Sequence, residues 1–454
     1  MSKLAALWRF IAHEPVIGPR GRRRPRRKGR GVALIAVLIS IAIILVMTVQ
    51  FGTTSNIDLF AAANQRDQMR AHFLARSAQN LSELVIRLQQ RLDNMKDTKG
   101  TQITDFADQI LLAFCGGEEE VKSAVYFSPK DVPGLGADIG TCGIVNQQIT
   151  TDDDRLNVNC FNGSQATAAT FKSALDALVF FNAYDPVFEE ADAEGYRRDR
   201  AQQVAAISDY IDTDGLHLRD RGTTEDYGYE SLKDPYKAKN NYIDTVSELK
   251  LVRGVDDRFW TLFGGAFTAY GGCKINISAL SNVQLIAAVL YLSAKNDKDP
   301  ILLDPKKLFA LAGIIARAKQ FGRTFTSVDD FVKYVKDPSA DLSSIAGSSP
   351  SGSMAGSAAS AALNAGIAGL TGSDKLGMEL DKAKLAQLVI AGPRRTYRVR
   401  AWGEIARKQV DNDGNPVFPP IRSTITSVWD TKVVPQNARK PGTPNGAWVY
   451  QREE

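Results

Sequence analysis

RGRRRPRRKGRGVALIAVLISIAIILVMTV, Arg20 to Val49, is the stretch on which the organisation of the chain turns. A knot of cationic residues from Arg20 to Arg30 ends at Gly31, an apolar run follows from Val32 to Val49, and no charge returns until Asp58. A helix needs roughly 20 apolar residues to cross the hydrocarbon core, and this run is about that long. The arginines place its N-terminal side in the cytoplasm by the positive-inside rule. Everything from Asp58 onward is then expected in the opposite compartment. A cleavable secretory signal is the competing reading, with Gly52-Thr53-Thr54-Ser55 as small residues near a cut. The apolar run is long for such a signal, and the sequence beyond it stays helical.

From Leu74 the apolar positions fall at Leu74, Ala78, Leu81, Val85, Leu88 and Leu92, an alternation of four and three. That spacing lays one stripe along a helix, and Arg76, Glu83, Arg87 and Arg91 fill the other faces. One helix of roughly 60 residues, about 90 Å at 1.5 Å per residue, is expected from Val32 to about Leu92. Its first half faces lipid and its second half is amphipathic.

The 454 residues exceed one ordinary domain of about 100–200 residues, and 44 % apolar content supports well-formed cores. VKSAVYF and CGIVNQQIT alternate apolar and polar residues, as strands do, whereas TFKSALDALVFFNAY and RAQQVAAISDYI carry helical spacing. The Ser/Gly/Ala tract from Ser343 to Ser373 holds few large apolar groups and reads as a flexible loop. Alternation returns in YRVRAW, STITSVW and AWVYQ. Strands on both sides of a helical block describe one αβ domain with a helical domain inserted into it.

Four cysteines, Cys115, Cys142, Cys160 and Cys273, suit an oxidising compartment beyond the membrane. Three pairings are open, and Cys142 with Cys160 is preferred because each borders an expected strand in one small region. Zinc is not expected: no two cysteines are close, and the histidines are His13, His72 and His217. Acidic clustering raises calcium instead, with Asp209, Asp212, Asp214, Glu225 and Asp226 as candidate ligands around a loop. Calcium takes six to eight oxygens, although the first two acids stand three apart, which is not EF-hand spacing. A solvated acidic turn is the plainer reading of Asp212-Thr213-Asp214-Gly215. No Ser/His/Asp or Cys/His grouping, phosphate-cradling glycine loop or metalloprotease helix is evident, and the paired carboxylates lack aromatic surroundings to raise one pKa. The chain reads as a non-enzyme.

A Lys/Arg-rich leader ending in glycine, then an apolar helix turning amphipathic, resembles the type IV prepilin-like proteins. In those families a membrane aspartyl peptidase cuts after the glycine on the cytoplasmic side. The resemblance makes Gly31 the last leader residue and Val32 the new N-terminus, with methylation there. The leader holds ten Lys or Arg against the single acid Glu14, so it carries +9 and the remainder about −4. The basic balance is thus a leader property, and no nucleic-acid partner is inferred from it. Most such subunits have Glu at the fifth mature position, where it meets the neighbouring subunit's terminal amine inside the bilayer. Here that position is Ala36. A carboxylate at that depth is costly unless paired, and a subunit that joins first has no amine ahead of it to neutralise. Lacking the acid is a feature of the K-type minor pseudopilins of type II secretion, although Ala36 also reads as one more apolar anchor residue between Val32 and Val49.

The segments GIVNQQITTDDDRLNVN (Gly143 to Asn159), DYIDTDG (Asp209 to Gly215), VSELKLVRGVDDRFW (Val246 to Trp260), GCKINISALSNVQLIAAVL (Gly272 to Leu290), FTSVDDFVKYV (Phe325 to Val335), RTYRVRAWGEI (Arg395 to Ile405) and the terminal GAWVYQREE resemble that K-type family in order and spacing. The resemblance implies an α+β fold: a pilin-like long N-terminal helix packed on an antiparallel sheet, with a large SAM-like helical domain inserted. Expected boundaries are a cleaved cytoplasmic leader (1–31), the transmembrane and amphipathic helix (32–95), the first part of the pilin-like β region (96–165), the inserted helical domain (166–340), the Ser/Gly/Ala-rich loop (341–373) and C-terminal strands completing the sheet (374–454).

It further implies a periplasmic body anchored by one pass in the inner membrane, and calcium in the helical domain. The implied role is initiation and capping of a short periplasmic fibre that exports folded proteins. Implied partners are the I- and J-type minor pseudopilins, with the H-type as a further candidate, the prepilin peptidase and the inner-membrane assembly platform. The stripe from Leu74 to Leu92 would supply part of the subunit contact. The closest rival is a minor pilin priming a type IV pilus. A remoter one is a membrane-anchored helix-hairpin-helix DNA-uptake protein, disfavoured because LFALAGIIARAKQ has one glycine where two are wanted.

Overall fold

A computed structural model describes residues 30–95, 102–115, 140–191, 197, 199–213, 227–230, 232–320, 323–338, 377–406, 419–434 and 446–454. The first element, α1 (Arg30–Asn94), is one unbroken helix of 65 residues. It contributes to two compact units, one reaching to Arg66 and the other beginning at Asp67.

In the first unit the large apolar side chains of α1 point outward: Val32 is 74 % exposed, and Leu45, Val49 and Phe60 are likewise exposed. Among the described residues α1 is the helix long and apolar enough to cross a membrane. Its hydroxyls are satisfied inside the helix. Ser40 donates to the Ala36 carbonyl at 2.9 Å, Thr48 to Ile44 at 2.7 Å, and Thr53 and Thr54 to Gln50 at 2.9 Å. Hydrocarbon offers no other partner, so such back-bonding is what a lipid-facing helix requires.

The second unit is built on an antiparallel sheet and a helical part. The sheet strands are β1 (Thr141–Ile144), β2 (Thr150–Thr151), β7 (Thr396–Ile405), β8 (Ile421–Asp430) and β9 (Ala447–Glu453). Their order is β1-β7-β8-β9, with β2 also on β7. The long β7–β8 hairpin runs in register from Thr396↔Asp430 to Ile405↔Ile421. Period-two alternation turns Tyr397, Val399 and Ala401 to one face, where they form a core with Ala78, Val85 and Ile86 of α1 and with Ala107 and Leu111 of α2 (Ala107–Cys115). Small residues let α1 lie close: Ala71, Ala75 and Ala78 are fully buried. Opposite them is Gly403, where a Cβ would stand 2.3 Å from the Ala71 carbonyl oxygen and 2.4 Å from the Ala75 amide nitrogen. The far end of the contact is clasped by polar groups. Trp448 Nε1 donates to Glu83 at 3.1 Å, and the Arg87 guanidinium lies 5.0 Å over the Trp429 ring.

The stripe expected to serve neighbouring subunits is mostly turned inward. Ala78 and Val85 are buried, Leu74 and Leu81 pack against the same core, Leu92 is half-buried, and Leu88 is 49 % exposed. The sheet's apolar face needs that cover, so the stripe is chiefly an internal contact. The exposed apolar residues of α1 in this unit include Met69, Phe73, Leu84 and Leu88.

The helical part contains α3 (Gln165–Val179), α4 (Asp185–Glu189), α5 (Arg200–Ile211), α6 (Tyr227–Glu230), α7 (Asp257–Phe263), α8 (Val283–Ser293), α9 (Pro300–Leu303), α10 (Pro305–Gln320), α11 (Val328–Lys336) and α12 (Lys382–Leu388). Side-chain caps start several of them, as Asp199 with Gln202 does for α5 and Asn282 for α8. Two short parallel pairs tie its ends together: β3 (Leu156–Asn157) with β4 (Phe267–Thr268), and β5 (Ile275–Asn276) with β6 (Val389–Ile390).

The helical core begins before the expected boundary at 166, because Leu156, Val158, Cys160 and Phe161 already belong to it. It also resumes beyond the Ser/Gly/Ala tract, where Met378, Leu380, Leu385, Leu388 and Val389 pack with α8 residues such as Leu285 and Leu290. Residues 377–391 thus complete the helical core, not the sheet. The tract from Ser343 to Ser373 and the strand expected in VKSAVYF lie outside the described residues.

The disulfides correct the expected Cys142–Cys160 pair. Cys115 bonds Cys142, and Cys160 bonds Cys273. Cys142 sits on β1 in the core under the sheet, facing the end of α2, whereas Cys160 lies in the helical core. The chain crosses from one core to the other between them, so nearness in sequence does not bring their sulfurs together.

Candidate functional site

Three places gather the chemistry-bearing residues. At the start of α1, Gly31 is already helical and Val32 and Ala36 are exposed, while residues 1–29 lie outside the described residues. At the end of α5, Asp209 is buried and Asp212 follows as the C-cap, its Oδ2 accepting from the Ser208 hydroxyl at 3.2 Å. Asp214, Glu225 and Asp226 lie outside the described residues, and among the described ones no group of three metal-ligating side chains forms. Asp209 and Asp212 alone offer at most about four of the six to eight oxygens calcium takes.

The third place is a polar seam between the sheet and the helical part, built on Asp152, Asp153 and Asp154 in the turn from β2 to β3. Asp152 is fully buried, with Arg398 of β7 across from it as a bidentate partner at 2.9 and 2.5 Å. Thr268 of β4 adds a hydroxyl at 3.0 Å, and Arg155 stands 3.6 Å away. Burial pushes the Asp152 carboxyl upward, but the guanidinium beside it wins and holds it below the ordinary value. Asp153 accepts from the backbone amides of Arg395 and Thr396 and from the Thr396 hydroxyl, while its own carbonyl accepts from the Asn276 amide at 2.8 Å. Arg395 in turn forks onto Asp430 at 2.8 to 3.1 Å. One turn therefore bonds β7, β4 and β5 at once. Gly271 closes over it with φ +91°, a left-handed backbone that glycine adopts without penalty.

Beside the seam, α1 and the segment before β7 enclose a groove of about 460 Å³ lined by Leu84, Leu88, Arg87, Arg91, Arg394 and Asp93. Burial raises the Asp93 carboxyl, opposed by the Gln89 hydrogen bond and Arg394.

The seam is what residue-by-residue reading misses. Three consecutive acids followed by Arg155 are visible in TDDDRL, but nothing local shows what they pair with. Their partners Arg395, Thr396 and Arg398 lie more than 240 positions downstream, so only the tertiary fold brings them together.

Comparison with known proteins gives one description throughout. Residues 154–264 match the family model for type II secretion system (T2SS), protein K. A type II secretion system protein K of Pectobacterium carotovorum subsp. carotovorum is 24 % identical over 233 residues, covering 51 % of this chain and 60 % of the relative. One of Aeromonas hydrophila is 23 % identical over 273 residues, covering 59 % of this chain and 72 % of the relative. The chain thus spans about 60 % of the first relative's length. Among solved structures, a chain of the GspK-GspI-GspJ complex from the enterotoxigenic Escherichia coli type 2 secretion system aligns at a TM-score of 0.46 and 14 % identity, covering 87 % of this chain and 99 % of that one. Through residues 154–264 and two relatives of the same description, the chain is similar to the type II secretion system protein K family.

Proposed function

We propose that this protein is a minor pseudopilin that starts and caps the type II secretion pseudopilus from its tip. The observation that carries the reading is the unbroken helix Arg30–Asn94, which is of membrane-crossing character at one end and scaffolds a sheet at the other. An anchor continuous with the fold is what a subunit needs if it is to leave the bilayer and enter a filament without refolding. In this reading the leader is cut after Gly31, Val32 becomes the terminus, and the body lies in the periplasm. The missing acid at Ala36 suits a first subunit. The bulk of the helical part, compared with a bare helix-and-sheet subunit, would block addition above it. The role is structural, not catalytic. The I- and J-type subunits named with the aligned solved structure are the proposed partners, and calcium is proposed at the end of α5 through Asp209 and Asp212 with Asp214, Glu225 and Asp226.

Co-purification tests this directly. The full chain, extracted from membranes, should bring down I- and J-type pseudopilins and not pilus subunits. Capture of pilus subunits alone would assign it to a type IV pilus instead.

A further inference from the structure

Within the seam the charges pair unevenly. Asp152 has Arg398, Asp430 has Arg395, and Asp153 has two amides and a hydroxyl. Arg394 is taken by Asp105 at 2.9 Å and Thr104 at 3.2 Å. Lys319 of α10 gives its ammonium to the carbonyl oxygens of Ile277 and Ser278. Among the described residues Asp154 is left with one side-chain hydrogen bond, from the Ser281 hydroxyl to Oδ2 at 3.1 Å. Among the described residues its Oδ1 has no hydrogen-bond partner, and Arg155 Nε stays 3.6 Å from it. The side chain is only 14 % exposed, so a carboxylate here is poorly solvated and poorly compensated.

We infer that the Asp152–Asp154 turn is a proton-operated clamp, in which protonation of Asp154 holds the helical part shut on the sheet and ionisation loosens that seam. The groups acting on Asp154 come from several elements: Asp152 and Arg155 on its own turn, Ser281 before α8 and Lys319 on α10, with Arg394 before β7 and Asp105 before α2 acting in turn on Lys319. Burial lifts the Asp154 carboxyl to about 6, against the opposing pull of Arg155 and the Ser281 hydroxyl. Burial also lowers Lys319 to about 8, with Arg394 adding to the fall.

The sign follows from linkage. A carboxyl whose pKa is higher in the closed state binds its proton more tightly there, so closure strengthens as pH falls from about 6 toward 3.8. Asp153, raised by burial, acts in the same direction. Lys319 is protonated in both states below about 8 and adds no slope there. An acid displaced from 3.8 to about 6 carries up to a factor of about 100 between its two forms. Partial opening of the seam should release about tenfold of it. This clamp stands independently of the pseudopilus assignment.

Hydrogen exchange on the full-length protein in detergent, corrected for the intrinsic pH dependence, tests it. Peptides covering Thr268–Asn276 and Thr396–Arg398 should open about tenfold more at pH near 7.5 than near 5. Asp154→Asn keeps the shape and removes the charge, so it should stay closed at both pH values. Ser281→Ala removes the hydrogen bond to the ionised form and should move the transition to higher pH. A wild-type seam with no pH response, an Asp154→Asn protein that keeps the wild-type response, or a Ser281→Ala transition at lower pH would each overturn the clamp.

Discussion

Gly403→Ala tests how tightly α1 is seated on the sheet. The added Cβ would lie 2.3 Å from the Ala71 carbonyl oxygen, 2.4 Å from the Ala75 nitrogen and 2.6 Å from Leu74 Cβ, against 3.4 Å or more for an ordinary contact. Two of those three atoms are backbone and cannot rotate away, so helix and strand must part by roughly 1 Å, a gap that already forfeits a quarter to a half of the dispersion at each contact. The parting loosens the buried face that runs from Ala71 through Ala75, Ala78 and Val85 to Ile86. Overpacking costs about 1–3 kcal/mol, and backbone clashes put this case at the upper end, about 3 kcal/mol. Gly313→Ala provides the contrast: it lies inside α10 with nothing within 4 Å of an added Cβ. Alanine's helix propensity should stabilise there by about 1 kcal/mol. Chemical denaturation of the two variants beside wild type, followed by tryptophan fluorescence, reads both signs. Equal stability of Gly403→Ala and wild type would refute the close seating of α1 on β7.

Removing Arg398 by alanine leaves the buried Asp152 with only the Thr268 hydroxyl and the more distant Arg155, so a loss of about 3 kcal/mol is expected; the double replacement Asp152→Asn with Arg398→Met should lose markedly less in the same denaturation assay. The pH dependence of stability should carry two opposed contributions: that of Asp152, whose carboxyl is held below 3.8, is present above 3.8 and fades as pH falls further, whereas Asp154 destabilises fully above about 6 and progressively less as pH falls from about 6 to 3.8. Stability curves of Asp152→Asn and Asp154→Asn against pH separate them. Replacing Cys160 and Cys273 by serine opens a link spanning 113 residues and should cost up to about 5 kcal/mol, more than opening the 27-residue Cys115–Cys142 link; thermal melts of the two double variants rank them. Calcium should raise the melting temperature of chelator-treated protein, and Asp209→Asn with Asp212→Asn should abolish that rise.

Much of the architecture is legible in the residues. The charge-free run after Gly31 and the three-four spacing beyond Leu74 announce one long helix, and α1 is continuous. The alternation in YRVRAW and STITSVW becomes β7 and β8. What the residues conceal depends on which surfaces meet. An apolar stripe shows that a helix face is covered, but not by what, and here the cover is the protein's own sheet. Ala71, Ala75 and Gly403 carry little hydrophobic signal, yet their smallness sets how near α1 comes. Cys142 and Cys160 stand close in sequence while belonging to different cores. Residues 377–391 return to the helical core after a low-complexity tract, and no local pattern marks that return. The seam acids find their arginines only through the tertiary fold.

The central claim is that a membrane helix, freed by a cut at its cytoplasmic end, remains part of the working protein. Intact-mass and N-terminal peptide analysis of the protein extracted from its native membrane tests this most directly. The account predicts a chain that begins at Val32 and keeps the whole of α1 beyond it. A chain still carrying residues 1–31, or one beginning near Ser55 without the apolar run, would contradict it.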